Sequence, residues 1–160
     1  MIDEALEAQV GAALLGTGQT VCAAESCTGG LILHRLTNIA GSSAYVLGGV
    51  VSYSNEAKQK LLNVREETLI AQGAVSEQTA GEMASGARAL LGADFALSVT
   101  GIAGPGGGTH DKPVGLTFIG LAGPDNLLIV RRHVWDGDRE GNKSDSADAA
   151  LRLLLETIAG

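Results

Sequence analysis

Seven consecutive residues, Ala24-Glu25-Ser26-Cys27-Thr28-Gly29-Gly30, constrain the rest of the chain. A short apolar run, Thr20 to Ala23, precedes them and an amphipathic segment, Leu31 to Leu36, follows. That order predicts strand, tight turn, helix. The turn carries a hydroxyl, a thiol and two glycines, where a helix start leaves backbone N–H groups free for a ligand or a reacting group. Ser26 therefore has two readings. It is a helix cap, or a nucleophile with helix amides facing a developing oxyanion. The pattern is not G-x-S-x-G, so the esterase elbow does not apply.

The remaining segments alternate between helical and strand signals. Ile2 to Leu15 has apolar residues at Ile2, Ala5, Leu6, Val10, Ala13 and Leu14, a helical spacing closed by Gly16-Thr17-Gly18. Thr20 to Glu25 reads as a strand, Thr28 to Thr37 as a helix and Asn38 to Ser43 as a loop. Tyr45 to Ser54 is β-rich and apolar, a central strand whose Gly48-Gly49 pair marks close backbone approach or a bulge. Asn55 caps a helix to Leu62, and a short helix from Arg65 to Gln72 ends at Gly73. Ser76 caps a helix to Leu91. Phe95 to Thr100 is a strand, followed by the loop Gly101 to Pro113. Strands Gly115 to Ala122 and Leu127 to Val134 are joined by a Gly123-Pro124-Asp125-Asn126 turn. Arg139 to Gly141 leads into a last helix, Ser146 to Ile158. These elements predict an α/β fold, a three-layer α/β/α sandwich with a mixed β-sheet. At 160 residues, with no repeat and no long linker, residues 1–160 read as a single domain.

Charge and cysteine usage narrow the function. A net charge of −7 opposes broad nucleic-acid binding, which needs a basic face. It leaves open a small anionic ligand held by a glycine loop. Cys22 and Cys27 are poorly placed for a disulfide along one strand, and no second pair completes a zinc site. The two aspartates of Asp136-Gly137-Asp138 do not make a metal site alone. Met1-Ile2-Asp3-Glu4 has no signal-peptide pattern, and no apolar run reaches the roughly 18 residues of a membrane span. A reduced, cytoplasmic protein without metal or membrane is expected.

If Ser26 is a nucleophile it needs a base. His34, His110 and His133 sit in no recognisable motif. Lys58 follows Tyr53-Ser54-Asn55 and, with Asn55 as cap, takes the third helical position, where a capping box places Glu or Gln. A cation there opposes the helix dipole at a cost of some tenths to about 1 kcal/mol. Burial adds to this, and both lower the lysine pKa. A neutral lysine is what Ser–Lys chemistry requires, although most lysines are exposed. Tyr53 packs, or relays a proton between Ser26 and Lys58. Cys27 is a rival nucleophile, since a helix N-terminus lowers a thiol pKa. The loop Thr100 to Thr109 holds five glycines within eight residues and follows a strand, where α/β proteins bind ligands. It is neither G-x-G-x-x-G nor a Walker A loop.

Taken together, these segments resemble the CinA carboxy-terminal domain, or nicotinamide-nucleotide amidase, family. The resemblance rests on Ala24 to Ile32, Gly41 to Lys58, Gly73 to Ala80, Thr100 to Thr109 and Lys112 to Gly115. It implies the same three-layer fold, in the stand-alone form without an amino-terminal domain. Ser26, Tyr53 and Lys58 fall on the family's Ser–Tyr–Lys catalytic positions. The implied reaction converts nicotinamide mononucleotide to nicotinate mononucleotide and ammonia, with no cofactor and no metal. The implied substrate-binding set is Thr28, Gly29, Gly30, Thr100, Gly101, Gly104, Gly106, Gly107, Gly108 and Arg139. Within it, amides of Gly29, Gly30 and Gly101 would hold the oxyanion and Gly104 to Gly108 the phosphate. After Gly137-Asp138-Arg139 the family usually continues Val-Arg, whereas this chain reads Glu140-Gly141-Asn142-Lys143. Lys143 lacks the bidentate fork of an arginine. Relatives form oligomers and the helices are rich in Ala and Gly, so a homo-oligomer is expected. The rival readings are a non-catalytic nucleotide-binding or regulatory module and a DNA-uptake or damage-response interaction domain, the latter opposed by the acidic charge.

Overall fold

Along the buried strand Val21–Glu25 (β1), successive side chains enter two different cores. Val21 and Ala23 join one cluster, while Cys22 and Ala24 join another on the opposite side. A strand covered on both faces requires helices above and below it. The computed structural model describes residues 4–160 and supplies them. Leu6–Thr17 (α1), Leu31–Thr37 (α2) and Arg139–Ala159 (α6) pack on the first face. Asn55–Leu62 (α3), Glu66–Gln72 (α4) and Glu77–Leu91 (α5) form the second layer.

The sheet between them has the order β2-β1-β3-β4-β5, with β2 Val46–Val51, β3 Phe95–Gly101, β4 Leu116–Gly123 and β5 Leu127–Val134. β2, β1 and β3 are parallel, β4 runs antiparallel to β3, and β5 antiparallel to β4. The sheet is mixed, as expected. Asp125 and Asn126 take positive φ at the β4–β5 turn, the conformation a tight hairpin needs.

Small residues bring α5 close to the sheet. The Ser98 hydroxyl donates to the Ala80 carbonyl at 2.6 Å, and a Cβ at Gly120 would lie 2.8 Å from that carbonyl oxygen. Gly86 lets α3 approach α5, since a Cβ there would strike the Leu62 carbonyl. A core built on such approaches needs few aromatic side chains.

Several sequence expectations change. Ile2 lies outside the described residues, and α1 runs on to Thr17, closed by Gly18 at φ 72°. β2 is an edge strand, not a central one. It stops at Val51, its alternate side chains Leu47 and Val51 face outward, and Tyr45 is buried after the 3₁₀ turn Ser42–Ala44. Its glycines act as expected. The register to β1 skips Leu47, just before Gly48 (φ 146°), and a Cβ at Gly49 would lie 2.5 Å from the Ala23 carbonyl oxygen. α4 begins at Glu66, with Arg65 as its N-cap residue. α6 begins at Arg139 rather than Ser146, because the Asp138 carboxylate accepts the Gly141 amide at 2.8 Å and caps it. The parallel strands β1 and β3 end side by side at Glu25 and Gly101, which sets the site at their carboxyl ends.

Two glycine substitutions test the packing. Gly86→Ala is expected to destabilise by about 1–3 kcal/mol, because the α3–α5 contact must open. Gly16→Ala, at an exposed helical position with nothing within 4 Å of a Cβ, should stabilise by about 0.5–1 kcal/mol. Urea unfolding of both variants measures the two signs.

Candidate active site

The Ser26 amide donates to the Val99 carbonyl at 3.0 Å, so β3 fixes the residue just beyond the end of β1. Ser26 does not cap α2. That helix starts at Leu31, with Gly30 at the cap position and φ 104°. The shorter helix replaces the expected start at Thr28. Its opening amides are taken by Glu25, a fully buried carboxylate. Oε1 accepts from the Thr28 hydroxyl at 2.7 Å, the Gly30 amide at 3.2 Å and the Ile32 amide at 3.0 Å, while Oε2 accepts from the Leu33 amide at 3.1 Å.

The Ser26 hydroxyl faces Lys58 instead. Lys58 Nζ donates to Ser26 Oγ at 2.9 Å and to the Ser52 carbonyl at 2.7 Å. Lys58 is 1% exposed and Ser26 8%. With the lysine neutral, the hydroxyl would donate to the amine across the same contact. The cap of α3 is Ser54, whose Oγ accepts the Ala57 amide at 3.0 Å, not Asn55. Lys58 is therefore the fourth helical residue rather than the third, and it turns inward. Burial lowers the Lys58 pKa from 10.5.

Cys27 lies beside this pair without its properties. Burial, opposed by its own backbone hydrogen bond and aided by the Glu25 charge, pushes its thiol up to about 11. The expected lowering by a helix N-terminus fails because burial outweighs it, and because Glu25 already takes the first amides of α2.

Ser26, Cys27 and Lys58 line a cavity of about 290 Å³ with Tyr53, Ala74, Val75, Thr100, Gly101 and Arg139. Gly104, Gly106 and Gly107 complete its loop side. Gly108 does not line it and backs onto Val114 instead. Tyr53 is 66% exposed, and its hydroxyl accepts from Arg139 Nη2 at 3.2 Å rather than lying between Ser26 and Lys58. Arg139 Nη1 donates to the Gly104 carbonyl at 2.7 Å, tying the glycine loop to α6. The Thr28 and Thr100 hydroxyls are spent inside the protein, on Glu25 and on the Ala74 carbonyl at 2.7 Å. Gly29 gives its amide to the Ser26 carbonyl at 3.1 Å and Gly30 gives its own to Glu25. Neither is free for an oxyanion. Lys143 Nζ lies 3.8 Å from where a Gly29 Cβ would be, outside the cavity wall.

Gly101 differs. Ile102 donates to the Leu116 carbonyl, so the alternation of an antiparallel ladder turns the Gly101 amide away from β4, toward the Ser26 side. Among the hydrogen bonds of the described residues, the Thr28 amide meets no acceptor, and the Cys27 amide meets none beyond its own thiol. Sequence reasoning missed Glu25 and Ser52. The available signal for Glu25 was an acid at the buried end of a strand with Thr three residues on. A larger concavity of about 530 Å³ beside α5 is lined by Arg88 and Asp94, whose polar groups are engaged with each other and with Thr20. Among the described residues no group of three or more His, Cys, Asp or Glu could hold a metal ion, and no helix is long and apolar enough to cross a membrane.

A family model described as the CinA C-terminal domain matches residues 3–158. A "CinA-like protein" of Chloroherpeton thalassium is 53% identical over 98% of this chain, which spans only 38% of that relative's length. The "nicotinamide-nucleotide amidohydrolase PncC" of Escherichia coli is 48% identical over 94% of this chain and 92% of its own. Among solved structures, a competence/damage inducible protein of Agrobacterium tumefaciens superposes with a TM-score of 0.93 at 42% identity, covering 97% of this chain and 94% of that one.

The buried lysine makes a pH prediction. Its folded pKa is below the 10.5 of the unfolded chain, so between the two values the unfolded state binds more protons and stability rises with pH. Below the folded pKa both states are protonated and the burial penalty is constant. The stability of Lys58→Met relative to the parent is therefore greatest at and below the folded pKa and should fall as pH rises from there toward 10.5. Urea unfolding of both proteins across that range measures it, and parallel curves would contradict it.

Proposed function

The chain belongs to the CinA C-terminal domain family, and on that premise we propose that it hydrolyses the carboxamide of nicotinamide mononucleotide, giving nicotinate mononucleotide and ammonia. The observation that carries the chemistry is the 2.9 Å contact between buried Lys58 Nζ and Ser26 Oγ. The substrate class is supported by the amidohydrolase name of a 48% identical relative of which the chain covers 92%.

In this reading Lys58 is neutral in the resting enzyme, favoured by its lowered pKa. It takes the Ser26 proton directly, without Tyr53, as Oγ bonds to the carboxamide carbon. The oxyanion is met by the amide of Gly101 and by that of Cys27, whose one contact is its own thiol, each such donor typically contributing about 2.7–4 kcal/mol. The Lys58 ammonium returns the proton to the amide nitrogen, the C–N bond breaks and ammonia leaves. Water, deprotonated by Lys58, then cleaves the acyl ester to the carboxylate. Tyr53, Arg139, Gly104, Gly106 and Gly107 line the same cavity, and in this reading the backbone of that glycine loop receives the ribose phosphate.

Ammonia release from nicotinamide mononucleotide tests the reading. Ser26→Ala and Lys58→Met should each lower kcat by about 10⁴-fold or more. Cys27→Ala should stay within a few-fold of the parent, and Tyr53→Phe within about tenfold, below the roughly 10²–10⁴-fold that a proton-transfer group contributes. Activity kept by Ser26→Ala and lost by Cys27→Ala would reverse the nucleophile assignment. Substrate binding without ammonia release would favour a non-catalytic module.

A further inference from the structure

Glu25 has no place in the acyl-transfer steps, yet it is the most completely engaged side chain next to them. Its carboxylate is fully buried and takes four donors, three of them backbone amides of the segment that carries Ser26 into α2. Its own carbonyl accepts the Ser52 amide at 2.8 Å, and the Ser52 carbonyl in turn holds Lys58 Nζ at 2.7 Å. One residue thus joins the nucleophile's turn to the base's anchor.

We infer that Glu25 is a positioning residue, which orients Ser26 toward Lys58 and whose charge adds to the burial that keeps the neighbouring Cys27 from competing as nucleophile. This rests on the amidase reading above. The geometry has two separable parts. The reach of the side chain closes four hydrogen bonds around the turn, and a displacement of about 1 Å at a reacting group can cost about 100-fold in rate. The carboxylate charge occupies the first amides of α2 and opposes a thiolate at Cys27, whose pKa burial raises first. The charged groups acting on that thiol are Glu25, which raises its pKa, and Lys58 and Lys143, which lower it. Among the three, Glu25 alone opposes ionisation.

Two substitutions separate reach from charge. Glu25→Gln keeps the length and loses the charge, while its amide group meets one of the backbone donors with a donor of its own. Glu25→Asp keeps the charge and loses the reach. With folding checked by circular dichroism, both should lower kcat for nicotinamide mononucleotide by about 100-fold while KM stays within about threefold. The pH profile of Cys27 alkylation by iodoacetamide should move to lower pH in Glu25→Gln and stay with the parent's in Glu25→Asp. Parent-like kcat in both variants, or an alkylation profile unmoved in Glu25→Gln, would overturn the inference. If Glu25→Gln does not fold, Glu25→Asp decides through kcat alone. If the parent releases no ammonia, the amidase reading falls while the Cys27 profile, which needs no substrate, still judges Glu25.

Discussion

An ammonium buried to 1% exposure is expensive unless its protons are engaged or it gives one up. Lys58 does the first through Ser26 Oγ and the Ser52 carbonyl, and its lowered pKa makes the second easier. Much of the architecture around the site serves that one contact. Ser54 caps α3 so that its fourth residue points inward. Val99 holds the Ser26 amide, and the Glu25 carbonyl holds the Ser52 amide, so the ends of β1, β2 and β3 are fixed relative to one another. Parallel strands bring those ends together without any residue in the turn having to be rigid by itself.

Close backbone approach is the second constraint. Gly120 and Ser98 set α5 on the sheet, Gly86 sets α3 on α5, and Gly49 admits β2 beside β1. α3 carries Lys58 and the start of α5 follows Ala74 and Val75, so these approaches also position the cavity wall. On the loop side, Arg139 reaches from the first turn of α6 to Gly104 and Tyr53, joining three segments distant in sequence.

The element order, the mixed sheet and the glycine bulge in β2 were legible because they follow from local period and turn chemistry. The edge position of β2 was not, since an apolar run of Val and Leu reads the same whether one or both faces are covered, and strand order is a long-range property. The start of α6 was hidden because residues 139–146 are polar and lack an apolar stripe, while the cap at Asp138 works through one side chain. At the site, Ser26 and Lys58 could be proposed from type and spacing. The use of the Gly29 and Gly30 amides by Ser26 and Glu25 could not, because backbone donors carry no sequence label. The same holds for Thr28 and Thr100, whose hydroxyls face inward on partners that only the fold brings near.

The central claim is that Ser26, deprotonated by Lys58, forms a covalent acyl intermediate. Rapid acid quench of the enzyme with nicotinamide mononucleotide, followed by peptide mass spectrometry, tests it directly. The account predicts a nicotinate-mononucleotide ester on the peptide bearing Ser26, localised to that serine and absent in Ser26→Ala. An adduct localised to Cys27, or steady ammonia release by Ser26→Ala at the parent rate, would contradict it.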